Sequence, residues 1–245
     1  MMSSIPTDVA RERLRVARTL RLWLLLLIGC ELALLAVRAV RYPAFFSMPG
    51  ALGYLLEPVV ALAIYAAVVA LLPLIIARVP AAQSAVPIAI ILGGIGGLIE
   101  VTSTALESLL VLPQHIVSLT TGIAMLSLFL IFGIAGFIGA RRTHSFWLGV
   151  GTGIGTAMLA ILIVVVFGFL LVNIALPALA HGELRDPDYL RSGWTDVGAF
   201  AIANTCDAAF THLVEALVIA AVLGAVGSGI GWAGVRLRLN RVIAD

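Results

Sequence analysis

Six long runs of apolar residues, separated by short stretches rich in proline, arginine and acidic residues, dominate the sequence. They cover residues 22–40, 58–77, 87–112, 116–140, 146–176 and 198–234. A helix needs roughly 20 apolar residues to cross the hydrocarbon core of a bilayer, and each run is about that long or longer. The pattern therefore predicts an all-α, polytopic integral membrane protein, built as a bundle of about six transmembrane helices.

The composition supports this prediction and excludes several other classes of protein. Hydrophobic residues make up 62% of the 245 residues and charged residues only 11%, whereas a soluble domain has about 45–50% and about 25%. The net charge of +2 is too small for a typical nucleic-acid-binding protein. Cys30 and Cys206 are the only cysteines, which argues against a secreted disulfide scaffold. The lipid bilayer is the partner that the composition predicts, and nucleic acid is not.

The arginine distribution predicts which side of the membrane holds the chain ends. An even number of spans puts both termini on one side, and that side carries eleven of the fifteen arginines. The other side carries four, namely Arg38, Arg41, Arg185 and Arg191. Because cytoplasmic segments are enriched in basic residues, we expect both termini in the cytoplasm. The expected location is a cell membrane, a prokaryotic inner or plasma membrane.

Three segments lie outside the predicted transmembrane domain at 22–235 or connect its spans. Residues 1–21 form a basic N-terminal segment that sets the orientation or lies as an interfacial helix on anionic lipid. Residues 236–245 form a cytoplasmic tail. The outer loop 178–197 is a candidate lid and holds half of the acidic residues outside the spans, namely Glu183, Asp186, Asp188 and Asp196.

The sequence around Cys30 resembles a bacterial lipoprotein signal. Residues 27–30 read Leu-Ile-Gly-Cys, the type of motif in which the cysteine becomes lipidated. Membrane-spanning sequence continues after Cys30, however, where a lipoprotein has a polar tether. We therefore expect Cys30 to remain unmodified.

Acidic residues inside the spans are the main functional signal, because a charge at the bilayer centre costs several kcal/mol and is rarely kept without a reason. Five qualify, namely Glu31, Glu100, Glu107, Asp207 and Glu215. At about 100° per residue, one face of the third helix carries Gly93, Gly97, Glu100, Thr104 and Glu107. One face of the sixth carries Asn204, Asp207, Thr211 and Glu215, with His212 at its edge.

These two polar faces cannot point into lipid, so we expect them to face each other or a watery cavity. Glu100 and Glu215 would then meet near the middle of the membrane, and Glu107 and Asp207 in its outer third. The chain has no lysine, and no arginine is expected at this depth. The cluster therefore needs protons or a bound cation for neutrality. Carboxyl, amide and hydroxyl oxygens suit hard cations, and His212 adds affinity for a transition metal.

Glycines at four-residue spacing mark close helix packing. The pairs are Gly93 with Gly97, Gly149 with Gly153, Gly151 with Gly155, and Gly227 with Gly231. Glycines occupy every second position from Gly149 to Gly155 in the fifth helix, so they lie on two of its sides. One side serves the bundle, and the other is available to a homo-oligomer or a membrane-complex partner.

Three functional hypotheses follow from these features. The first is a proton- or cation-linked transporter or channel that uses the carboxylates of helices 3 and 6. The second is a non-catalytic structural or assembly subunit of a larger membrane complex, in which the same carboxyls are neutral and hydrogen-bonded between helices. The third is an intramembrane metal enzyme, the least favoured because no catalytic motif is found. No catalytic residue is assigned, and no cofactor is expected beyond a bound cation or proton.

Overall fold

Every regular element in the described part of the chain is a helix. A computed structural model describes residues 7–110, 112–184 and 186–244. Among these residues, six helices are long and apolar enough to cross a membrane, which confirms the predicted all-helical fold and the number of helices that can span a membrane. They are α1 (Thr7–Arg41), α2 (Ala51–Arg78), α3 (Val86–Leu109), α4 (Gln114–Thr143), α5 (Phe146–Ile174) and α8 (Val197–Ala244). Two short helices, α6 (Leu176–Glu183) and α7 (Pro187–Ser192), connect α5 to α8.

The first and last helices extend well beyond the predicted spans. α1 is one unbroken helix from Thr7, so the basic segment from that residue onward continues directly into the first span. α8 likewise continues through the predicted tail to Ala244. Residues 1–6 and 245 lie outside the described residues.

The predicted outer loop 178–197 is mostly helical, which corrects the expectation of a loop. Prolines favour the first turn of a helix, where their missing N–H is not needed. Pro177 starts α6 in this way and Pro187 starts α7. The side chain of Asp186 also accepts a hydrogen bond from the backbone N–H of Asp188, which caps α7.

The start of the second span was predicted wrongly. α2 begins at Ala51, and Pro58 is a buried residue inside it. Gly50 adopts a positive φ of 74°, and its carbonyl oxygen accepts hydrogen bonds from the N–H groups of Gly53 and Tyr54. These contacts start the helix before the proline. Glu57 consequently lies within the apolar stretch Ala51–Leu72, on an exposed face.

α5 is the central helix of the bundle and packs against α1, α3, α4 and α8. Gly93 of α3 contacts Leu159 of α5, and Gly97 contacts Ile163. Because the residue numbers of both helices increase in the same direction along these contacts, α3 and α5 run parallel. α4, which connects them, runs in the opposite direction. Alternating direction is what successive membrane crossings require.

Glycines bring the backbones of α4, α5 and α8 into direct contact. A Cβ atom added to Gly153 would lie 3.0 Å from the Cα of Gly224, and one added to Gly136 would overlap the carbonyl of Gly224. Further along, Gly149 meets Ser228, whose hydroxyl donates to the Gly136 carbonyl at 3.2 Å. We call this three-helix contact the glycine seam. It lies in the half of the bundle near the α4–α5 turn.

Most of the glycines predicted to pack do so. Gly93 and Gly97 fit against α5, Gly149 and Gly153 lie in the glycine seam, and Gly227 and Gly231 fit against α4. Two do not fit the expectation of close packing. Gly151 has no neighbouring atom within 4 Å of an added Cβ, and Gly155 has only the Ala89 Cβ at 3.6 Å. Sequence analysis missed Gly136, Gly139 and Gly224, because none of them has another glycine four residues away.

At the opposite end of the bundle, one side chain joins the first helix to the last. The hydroxyl of Tyr42, directly after α1, donates to Asp196 Oδ1 at 2.8 Å. The same oxygen accepts the backbone N–H of Ala199 at 3.0 Å. Asp196 therefore caps the start of α8 and fixes it to the end of α1.

Gly227→Ala should destabilise the protein, whereas Gly229→Ala should not. Both glycines lie in α8, but a Cβ at Gly227 would overlap the Gly133 carbonyl of α4, whereas Gly229 has open space. Overpacking costs about 1–3 kcal/mol, while replacing an unstrained helical glycine gains about 0.5–1 kcal/mol. Thermal unfolding in detergent measures both, and equal midpoints for the two variants would contradict the glycine seam.

Candidate functional site

A cavity of about 410 Å³ lies in the half of the bundle away from the glycine seam. α3, α4, α5 and α8 form its walls, and α6 lies across one end. The volume is within the usual range for small-ligand sites, about 300–1,000 Å³. We call it the acidic cavity because three of its lining side chains are carboxyls, Glu100, Glu107 and Glu183.

The α3 wall supplies two of these carboxyls and two hydroxyls. Glu100, Thr104, Glu107 and Ser108 recur at helical spacing and line the acidic cavity. Glu100 is the deepest, with only 6% of its surface exposed, and its Oε2 atom has no hydrogen-bond partner in the described part of the chain. Glu107 accepts a hydrogen bond from the hydroxyl of Thr121 on α4. Glu100 is thus the unsatisfied group of this wall.

The α8 wall supplies an amide, a hydroxyl and an imidazole, from Asn204, Thr205 and His212. The Nδ1 atom of His212 lies 2.8 Å from the carbonyl oxygen of Ala208. A carbonyl only accepts, so Nδ1 carries a proton. In the neutral ring Nε2 is then an acceptor. The small side chains of Ala208 and Ala209 leave space between these polar groups.

α6 covers one end of the acidic cavity with Leu179 and Glu183. The Asn204 amide of α8 donates to Glu183 Oε1 at 2.8 Å. Burial raises the pKa of Glu183 above its ordinary value of 4.5; this hydrogen bond opposes the rise, and nearby Asp186 adds to it. One hydrogen bond therefore joins α6 to α8 over the cavity.

The structure brings together many of the predicted site residues, but not all. Glu100, Thr104, Glu107, Asn204 and His212 line the acidic cavity. Glu215 lines an adjoining space of about 50 Å³ together with Glu100 and His212. Asp207 and Thr211 line neither space.

The misplacement of Asp207 has a geometric cause. The face of α8 that borders the acidic cavity runs through Asn204, Ala208 and His212. It is rotated by roughly a quarter of a turn from the predicted face through Asp207 and Thr211. α3 and α8 both border the cavity, with α5 packed against both helices, which corresponds to the second predicted arrangement, polar faces that border a cavity.

Asp207 instead belongs to the α2 side of α8. Its side chain is exposed, and both Asp207 and Glu57 lie near Cys206. The cysteine is buried between helices with its thiol free, whereas Cys30 is exposed. Asp207 is therefore separated from the other three predicted carboxyls, Glu100, Glu107 and Glu215, which line the acidic cavity or the adjoining space.

The metal ligand set expected around His212 is not assembled. In residues 7–110, 112–184 and 186–244, no three His, Cys, Asp or Glu side chains lie close enough to hold one metal ion. The carboxyls of the acidic cavity are spread along its length. This arrangement fits protons, a hydrated ion or a larger cation better than a compact metal centre.

A second buried polar region lies on α1, and sequence analysis did not recognise it. One stripe of α1 is buried, and it carries Leu24, Ile28, Glu31, Leu35 and Arg38. Glu31 has no exposed surface, and neither of its carboxyl oxygens has a hydrogen-bond partner among the described residues. The seven-residue spacing of Glu31 and Arg38 was the available signal, because it places both on one helix face. Arg38 had been assigned to the membrane surface.

Arg38 and Asn173 tie α1 to α5 near the Glu31 region. Arg38, with 8% of its surface exposed, donates from Nη1 to the carbonyl oxygen of Val172 at 2.9 Å. The Asn173 amide donates to the Leu34 carbonyl at 3.1 Å. On the α2 side, the hydroxyl of Tyr65 donates to the Leu213 carbonyl of α8 at 2.7 Å. These bonds leave Glu31 as the unpaired carboxyl of the region.

Comparisons with protein families, curated proteins and solved structures found no match to this chain.

Replacing Glu31 with methionine should stabilise the protein. A buried polar group without a partner costs about 1–3 kcal/mol, and methionine fills a similar space without that cost. Leu35→Met, at the next buried position of the α1 stripe, is the matched control and should cost less than about 1.5 kcal/mol. Thermal unfolding in detergent measures both. A lower midpoint for Glu31→Met than for Leu35→Met would mean that the carboxyl has a stabilising partner.

The burial of Glu183 should make stability depend on pH. A carboxyl with a raised pKa in the folded state binds its proton more tightly there. Its contribution is complete below the ordinary value of 4.5 and is lost as pH rises through the folded-state pKa. Glu183→Gln should therefore flatten the fall in unfolding midpoint as pH rises above 4.5. Asp188→Asn, at an exposed carboxyl, should keep the wild-type slope, and a wild-type slope in Glu183→Gln would contradict the burial of Glu183.

Proposed function

We propose that this protein is a proton- or cation-linked transporter or channel whose binding site is the acidic cavity. The observation that carries the proposal is the charge of the cavity lining. Three carboxyls line it, and none of its lining residues in the described part of the chain is an arginine. The chain contains no lysine.

The membrane environment makes this charge pattern informative. An unpaired carboxylate at membrane depth is costly, so the carboxyls must bind protons or attract a mobile cation. Hydroxyls and an amide from Thr104, Ser108, Thr121, Thr205 and Asn204 surround them. Their oxygens can replace part of the water shell of an entering cation. The lining therefore suits entry and release of positive charge.

The orientation follows from the arginine distribution. With both termini in the cytoplasm, the acidic cavity lies in the outer half of the membrane, with α6 across its outer end, and the glycine seam closes the cytoplasmic half. A channel or transporter would have to open the glycine seam or a path beside it. A structural subunit would not, because its carboxyls would remain neutral packing groups.

The test is ion movement into liposomes that contain the purified protein. A pH-sensitive dye inside the liposomes reports proton movement when a potassium gradient with valinomycin sets the voltage. Na⁺ and K⁺ gradients are tested with ion-sensitive dyes. Glu100→Gln should reduce the protein-dependent flux by about tenfold or more, because it removes the deepest ionisable group of the cavity.

Asp207→Asn is the matched control, since it removes a carboxyl from the same depth range of the bundle but outside the acidic cavity. Its flux should equal that of the wild type. Equal flux in Glu100→Gln and the wild type would reject the acidic cavity as the pathway. No flux above protein-free liposomes for any ion would favour the assembly-subunit hypothesis.

A further inference from the structure

The chemistry of the acidic cavity also points to the class of molecule that fills it. We propose that its ligand is a linear aliphatic diamine with three to five methylene groups, held by one ammonium group at each end. This inference rests on the proposed function of the acidic cavity and adds its substrate class.

The deep end of the cavity offers two hydrogen-bond acceptors. Glu100 Oε2 has no hydrogen-bond partner among residues 7–110, 112–184 and 186–244, and its side chain is 6% exposed. Close to it, the Nδ1 proton of His212 is used by the Ala208 carbonyl, which leaves Nε2 as an acceptor in the neutral ring. An ammonium group carries three donors and one positive charge. It satisfies both acceptors and neutralises the Glu100 carboxylate.

The outer end of the cavity offers a second anionic position. Glu107 uses one bond to Thr121, and Glu183 accepts one bond from Asn204. Each carboxylate accepts more hydrogen bonds than that, since its two oxygens have about four lone-pair sites. Ser108 adds a hydroxyl beside them. A second ammonium group fits this position. A single ion at Glu100 would leave the charge of Glu107 and Glu183 uncompensated.

The separation of the two ends sets the length of the ligand. Glu100 and Glu107 lie on one face of α3 and are offset by about 10.5 Å along the helix, seven residues at about 1.5 Å each. An extended chain gains about 1.2 Å per bond, so the nitrogens of 1,4-diaminobutane lie about 6 Å apart. A charged hydrogen bond of about 2.8 Å at each end extends its reach to roughly 12 Å. One methylene more or fewer is accommodated by the side-chain rotamers.

The wall of the acidic cavity is partly apolar. Met125 of α4 and Val164, Val165 and Leu171 of α5 line it together with the hydroxyls of Thr104 and Thr205. The apolar side chains suit a methylene chain. Because no three ligand side chains of the described residues converge on one point, a divalent metal ion is a poorer match than a molecule with two separated charges.

Binding to the purified protein in detergent tests this inference directly. Calorimetric titrations compare 1,4-diaminobutane with 1-aminobutane, 1,8-diaminooctane and Mg²⁺. The short diamine should bind at least about tenfold more tightly than the monoamine, because it forms a second charged contact. It should also bind more tightly than the long diamine, whose second ammonium group overreaches Glu107.

Variants with a single substitution test which carboxyl binds each ammonium group of the diamine. Glu100→Gln and Glu107→Gln should each reduce the affinity for 1,4-diaminobutane to near that of 1-aminobutane, whereas Asp207→Asn should leave it unchanged. Equal affinity for the diamine and the monoamine would overturn the inference, as would stronger binding of Mg²⁺. So would a diamine affinity that both glutamine variants retain.

The liposome assay separates this inference from the proposed function. Flux that depends on Glu100, without preferential binding of the diamine, would reject the diamine and keep the cation pathway. Tight diamine binding without flux or diamine uptake would reject transport and identify the acidic cavity as a binding site alone. Uptake of the diamine that Glu100→Gln abolishes would support both.

Discussion

Backbone contact between α4, α5 and α8 at the glycine seam is the constraint on which the rest of the bundle depends. Gly136, Gly153 and Gly224 have no side chain to separate the helices, so the three backbones touch in one half of the membrane. In the other half larger residues border the same helices, and the acidic cavity lies between them. Tight packing at one end thus fixes the walls of the site at the other.

The acidic groups of the spans occupy three environments with different energetic consequences. Those of the acidic cavity have hydroxyl and amide neighbours and access for a ligand. Glu31 lies in a closed core, where neither of its carboxyl oxygens has a hydrogen-bond partner among the described residues and a charge is costly. Asp207 and Glu57 lie on an exposed face. A carboxyl inside a span therefore has no single meaning, and its neighbours on other helices decide its role.

The sequence predicted the helices well because apolar length is a property of the chain itself. It predicted part of the site, since the spacing of Glu100, Thr104 and Glu107 determines a shared face on α3. The sequence did not predict the position of Asp207, because the rotation of α8 about its axis determines which face borders the cavity, and neighbouring helices set that rotation. The predicted start of the second span at residue 58 was wrong for a related reason. The turn formed by Gly50 starts α2 before Pro58.

The bond between Tyr42 and Asp196 has a consequence for biosynthesis. It connects the end of the first helix to the start of the last one, so it cannot form until nearly the whole chain has left the ribosome. The bond from Arg38 to the Val172 carbonyl joins α1 to α5 and needs no part of α8. α1 therefore gains its partners in chain order, α2 and α5 first and Asp196 last, so the outer end of the bundle is the part that closes when α8 arrives.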